Sequence, residues 1–169
     1  MAEPTAPSSV ATLIRRVGTI HGKKALQKLV YFLQEGEGVA LGLPFQMYHY
    51  GPYSLELESI VEELEFEGQV DVTPGDTYLI TSRIDSSLPI PDGIQRVVQK
   101  LGQLPAWRLE LLASLHYLAK LKPYRGTDAD KEQLRQKLSA WKGTKFADAQ
   151  VTQAIIQLEN EGYLPAQHP

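Results

Sequence analysis

The stretch Phe45-Gln46-Met47-Tyr48-His49-Tyr50-Gly51-Pro52-Tyr53-Ser54 opens the segment that decides the fold. Behind it lie Leu55 to Glu67, patterned as a helix, then Gly68, then Val70-Asp71-Val72 and Tyr78-Leu79-Ile80 on either side of Pro74-Gly75-Asp76. Phe45 to Tyr50 has the aromatic composition of a strand. Gly51-Pro52 is expected to interrupt regular structure, since proline has no N–H to give to a ladder. Ser54 stands where a helix N-cap is needed, its hydroxyl able to accept from an unpaired amide of the first turn. Glu56 and Glu58 follow near the positive end of the helix dipole. Leu57, Ile60, Val61 and Leu64 make the inward stripe, and Gly68 supplies a left-handed residue to end the helix. The two short runs around Pro-Gly-Asp predict a hairpin. Strand, turn, helix and hairpin in this order predict the second half of a winged helix.

Toward the N-terminus, residues 1–9 read as a disordered tail. Ser8 or Ser9 is placed to cap a first helix, in which Val10, Leu13, Ile14 and Val17 fall at i, i+3, i+4 and i+7 before Gly18 ends it. A second helix, from about Lys23 to Gln34, repeats that spacing with Leu26, Leu29, Val30 and Leu33, and Gly36 and Gly38 break it. Toward the C-terminus, Ser86 to Gly93, with Pro89 and Pro91, reads as a linker, and Ile94, Val97, Val98 and Leu101 as a connecting helix. Ala106 to about Lys122 carries so many leucines that it must be buried on more than one side. Thr127 caps a further helix with the stripe Leu134, Leu138 and Trp141, and Asp148 caps a last one running to about Glu161. This last helix repeats the pattern of the earlier one: Leu57 falls on Val151, Val61 on Ile155, Leu64 on Leu158 and Gly68 on Gly162. The sequence thus predicts a mainly α protein. A winged-helix-like unit of helices, one strand and a β-hairpin wing spans 10–84, a linker 85–93, and a helical, helix-turn-helix-like unit with its connecting helix 94–165.

A chain of 169 residues with 43% hydrophobic content and a net charge of -3 is long and apolar enough to bury one large core or two small ones. Cysteine is absent, which excludes disulfides and thiolate zinc sites. No apolar run approaches the roughly 18 to 20 residues that span a bilayer, and Met1 to Ser9 lacks a signal-peptide pattern. The expectation is a cytoplasmic protein with no membrane partner. Charge is distributed unevenly. Val10 to Gln34 holds five bases and no acid, Glu35 to Asp92 twelve acids against Arg83 alone, and Gly93 to Lys145 eleven bases against four acids. Either the basic segments dock on the acidic middle, or each surface meets its own partner.

These charges test the DNA-binding role that helix-turn-helix units suggest. The helix from Ser54 to Glu67 carries Glu56, Glu58, Glu62, Glu63, Glu65 and Glu67 and no base, so it would be repelled by a polyanion. The C-terminal unit is less hostile: Lys131, Arg135 and Lys137 could neutralise phosphates, and Gln153 and Gln157 could read base edges. Catalysis and metal binding find no pattern. His21, His49, His116 and His168 have no ligand spacing, no glycine-rich phosphate loop is present, and adjacent Glu62 and Glu63 point apart on a helix. His116 among leucines reads as a satisfied core histidine, and His49 as part of aromatic packing under the Gly-Pro turn.

Lys24-Ala25-Leu26-Gln27-Lys28-Leu29-Val30-Tyr31-Phe32-Leu33, with the Tyr50-Gly51-Pro52-Tyr53-Ser54 turn and Leu64-x-x-x-Gly68, resembles the YwgA-type family of small prokaryotic proteins. More distantly it is similar to the Panacea (SocA-like) antitoxin domain, over about residues 23 to 82. For the Panacea branch the resemblance implies neutralisation of diverse protein partners and no catalysis. The expected role is therefore a non-enzymatic, cofactor-free regulatory or antitoxin-like module. It would bind a protein, such as a toxin, through the acidic helix and the turn, with Tyr50, Tyr53, Glu56, Glu63 and Glu67 as contacts. The alternative is a DNA-binding regulator using helices 128–142 and 148–161. Self-association is compatible with either.

Overall fold

The computed structural model of the protein describes residues 5–74, 79–83 and 90–166. Helix α1 (Ala6–Val17) begins inside the segment read as a tail, because Thr5 and Ser8 cap it reciprocally. The Ser8 N–H donates to Thr5 Oγ1 (3.2 Å) and the Thr5 N–H to Ser8 Oγ (3.0 Å). Ser8 and Ser9 consequently lie within the first turn, not ahead of it. Two residues after Gly18, Ile20–His21 form a strand, β1. Its two residues are too few to show any alternation, and pattern reading misses it.

Helix α2 (Lys23–Tyr31) runs into a π-helical turn, Phe32–Gly36, where the Glu37 N–H reaches the Phe32 carbonyl at 2.8 Å. Strands β2 (Gln46–Tyr48) and β3 (Gly51–Tyr53) then form a two-stranded hairpin turning at His49-Tyr50. Gly51-Pro52 therefore opens a strand where an interruption was expected. A two-stranded ribbon has an edge on which the missing proline donor goes unnoticed. Helix α3 (Leu55–Phe66) follows, capped by Ser54, whose Oγ accepts from the Leu57 N–H at 3.3 Å.

Strands β4 (Val70–Thr73) and β5 (Leu79–Ser82) form the wing, Val72 opposite Ile80. Gly75, Asp76 and Tyr78, named for its turn, lie outside the described residues. Strand β1 pairs with β5, so the sheet order is β1-β5-β4. α1, β1, α2, α3, β4 and β5 in that order make a winged helix. Its first strand is β1 and not Phe45 to Tyr50, which belongs to a hairpin inserted between α2 and α3.

Helix α4 (Asp92–Leu101) starts within the expected linker, of which residues 85–89 fall outside the description. It packs on α1 and the π-helical turn. At its first turn Gly93 is wedged so closely that a Cβ there would lie 2.8 Å from Val39 Cγ2. Helix α5 (Ala106–Ala119) is buried continuously from Leu109 to His116, sandwiched by α2, β3, α6 (Asp128–Lys142) and α7 (Asp148–Asn160). Thr127 caps α6 as expected, accepting from the Asp130 N–H at 3.1 Å. The N-cap of α7 is Ala147 and not Asp148; Gln150 Oε1 reaches back to the Ala147 N–H at 2.9 Å.

Helices α3 and α7 do end alike. Gly68 and Gly162 are left-handed (φ 75° and 79°), and the next N–H returns to Leu64 or Leu158 at 2.9 and 2.8 Å. A single contiguous core links both halves of the chain, from Leu13 and Leu29 through Phe32 to Leu112, Leu115 and Ile155.

Candidate functional site

The two motifs separated in sequence meet in space. Gln27 on α2 clamps Ser54 with both ends of its amide: Nε2 donates to the Ser54 carbonyl and Oε1 accepts from the Ser54 N–H, each at 2.9 Å. Two turns along the same face, Gln34 does the same to Leu43, at 2.7 and 2.8 Å. Lys28, fully buried, donates to the Pro52 carbonyl at 3.0 Å. The Tyr-Gly-Pro-Tyr-Ser turn is thus pinned from α2, and Ser54 is held where it must be to start α3.

Beneath this turn is a cluster of charge. Glu110 on α5 is buried and accepts from Lys142 (2.9 Å) and from Lys145 through both oxygens (2.8 and 2.9 Å), while Lys142 also donates to the His49 carbonyl. Burial pushes the Lys28 ammonium down to about 7, and Lys142, Lys24 and Lys145 push the same way against Glu110. Tyr50 lies on the outside, with Lys24 Nζ 3.1 Å and Lys145 Nζ 4.8 Å from its ring centre. His49 is exposed instead of packed; the aromatic packing near the turn is Tyr48 on Tyr53 and Tyr31 on Phe45. His116 is the satisfied core histidine expected, its Nδ1 2.7 Å from the Tyr31 hydroxyl.

On the other side of α3 a groove of about 300 Å³ opens between α2, α3 and the wing. Its apolar floor is Leu26, Leu57, Val61, Val72 and Ile80, and Gln27, Tyr53 and Pro74 also line it. Its lip is Glu58, Glu62 and Glu65, at i, i+4 and i+7 along α3. Glu58 takes the Tyr53 hydroxyl (3.1 Å) and lies 3.9 Å from Lys23. Among the described residues no ion pair reaches Glu56, Glu62, Glu63, Glu65 or Glu67.

The acidic middle of the chain is therefore of two kinds. Glu35 is neutralised by Lys120 (2.5 Å), and Glu37 by Arg96 (2.7 Å) and Lys100 (3.5 Å), with the Tyr163 hydroxyl on Glu37 as well (2.8 Å). On α3, Glu56, Glu62, Glu63 and Glu65 face solvent, and Glu58 is half-buried beside Lys23. Leu55 (59% exposed) and Phe66 (93% exposed) share a stripe with Glu62 just outside the lip.

Of the residues singled out in the sequence, Tyr53 lines the groove. Glu56, Glu63 and Glu67 are exposed on α3 but off the groove, and Tyr50 stands apart, on the lysine cluster. Glu58, Glu62, Glu65 and Phe66 were not chosen as contacts, although counting along a helix from Glu58 at i, i+4 and i+7 would have grouped the three glutamates on one face. In the C-terminal unit Lys131 is paired with Glu159 (3.4 Å), and Gln157 accepts from Arg108 Nε and from one terminal guanidinium nitrogen (3.0 and 2.7 Å). Arg135 and Lys137 are half-buried and Gln153 is exposed.

Among the described residues no three His, Asp or Glu side chains are grouped to hold a metal, and no helix is long and apolar enough to cross a membrane. No protein-family model and no curated protein sequence matches the chain.

Proposed function

We propose that the protein is a non-enzymatic interaction module, regulatory or antitoxin-like, that captures a basic protein surface on α3. One observation carries this reading: a row of carboxylates, of which only Glu58 has an ion-pair partner (Lys23) among the described residues, borders an apolar groove beside the Tyr53 phenol. An apolar centre ringed by like charge is the make-up of a docking face, where burial gives affinity and charge selects the partner. The resemblance of Leu26-Gln27-Lys28-Leu29 and the Tyr50-Gly51-Pro52 turn to the Panacea domain implies a role of this kind. DNA binding through α6 and α7 draws less support, because Lys131 and Gln157 are engaged within the molecule. The contacts are reassigned from Glu56, Glu63 and Glu67 to the lip.

Two charge-reversed proteins test this in pull-downs from the native host: Glu58→Lys/Glu62→Lys/Glu65→Lys and Glu56→Lys/Glu63→Lys/Glu67→Lys. Partner capture should be lost in the first and weakened in the second. Capture that survives both rejects the reading.

A further inference from the structure

The shape of the groove narrows the partner further. We infer that it takes a cationic amphipathic α-helix lying along α3, an inference that rests on the protein-binding reading above. The floor is wholly aliphatic (Leu26, Leu57, Val61, Val72 and Ile80), so the side chains entering it must be apolar. At about 300 Å³ the space is at the low end for ligand pockets, suited to a few side chains from a partner that continues beyond it.

Charge sets the flank of the partner. Glu58, Glu62 and Glu65 stand on one lip, and Lys23, beside Glu58, is the one base lining the groove among the described residues. A partner must therefore carry lysine or arginine on the side facing α3.

Spacing decides between a helix and a strand. The three carboxylates advance along α3 in steps of about 6 and 4.5 Å, roughly 10 Å in all. A helix presenting bases at i, i+3 and i+7 has the same steps when it lies antiparallel, and keeps its apolar stripe on the floor beside them. Same-side residues of a strand advance by about 6.6 Å each, so three of them overshoot to about 13 Å.

Selection from two phage-displayed libraries of 15-residue peptides tests this on the full chain, one library on a helical scaffold and one in an extended frame. Winners are then measured by fluorescence polarisation against the wild type, Glu58→Gln/Glu62→Gln/Glu65→Gln, and Val61→Trp, which fills the groove. Enrichment is expected from the helical library alone, with apolar residues one turn apart flanked by Lys and Arg. Binding should weaken at least tenfold in both variants, with their thermal melts near the wild type. If Val61→Trp does not fold, the glutamine variant still decides. Extended winners that need the glutamates would overturn the helix and leave the protein-binding reading standing. Winners indifferent to the glutamates would overturn both. Self-association abolished by the glutamine variant would assign the groove to a second copy and overturn the inference.

Discussion

Lys28 is the residue whose chemistry is furthest from its sequence appearance. An amine pushed down to about 7 in the folded protein and near 10.5 when unfolded binds fewer protons folded than unfolded throughout that interval. Stability should accordingly rise with pH from about 7 to 9.5, by at most roughly 1.4 kcal/mol per unit. Above pH 10 the buried phenols of Tyr31 and Tyr163, pushed up by burial, act in the opposite sense. Urea titrations across that range should give a rising midpoint for the wild type and a flat one for Lys28→Met.

His116 governs the acid side. Burial pushes it down to about 4, with Lys120 pushing the same way and Glu35 opposing, so it folds neutral and must charge on unfolding. Its contribution is complete above pH 6.5 and fades as pH falls toward 4, a loss of roughly 3 kcal/mol. The same titrations at pH 7, 5.5 and 4.5 should show the wild type weakening well before the carboxylates protonate. His116→Gln, which can still accept from Tyr31, should weaken less. The core role of His116 was legible from its leucine neighbours. That of Lys28 was not, because a lysine at a buried helix position looks the same as one that reaches solvent until the turn it holds is in place.

At the scale of elements, the inserted hairpin β2–β3 is the feature that sequence patterning handled least well. Phe45 to Tyr50 was read as the winged-helix strand because it is aromatic and precedes a turn. The true first strand, Ile20–His21, is recruited by pairing with β5, a long-range contact with no local signature. Ser54, Thr127, Gly18 and Gly68 were legible since caps act within one turn. Gln27 and Gln34 were not, since amide clamps are indistinguishable in sequence from polar surface positions.

Gly51 is where the hairpin is most constrained. Its φ of 93° suits glycine, and a Cβ would lie 2.8 Å from Ser114 Oγ and 3.3 Å from Lys28 Cε. Gly51→Ala should destabilise the protein by at least about 1 kcal/mol, combining backbone strain with displacement of Lys28. Thermal unfolding checks this; an unchanged melting temperature would mean that the turn is not held from α2 and α5.

For the whole molecule, the uneven charge along the chain resolves into internal pairing where the acidic stretch begins and a largely uncompensated face on α3. Glu35 and Glu37 are met by bases of the C-terminal half, across an apolar core that both halves share; of the α3 glutamates only Glu58 has an ion-pair partner, Lys23, among the described residues. The sequence could show the surplus of acid but not its partition, which depends on which helices touch. The most direct measurement is photo-crosslinking in the native host, with benzoylphenylalanine placed at Phe66 beside the groove or at Trp141 on α6. A protein adduct should form from position 66 and disappear when Glu58, Glu62 and Glu65 are changed to lysine. Adducts arising only from position 141, or an adduct at 66 indifferent to those glutamates, would contradict a binding face on α3.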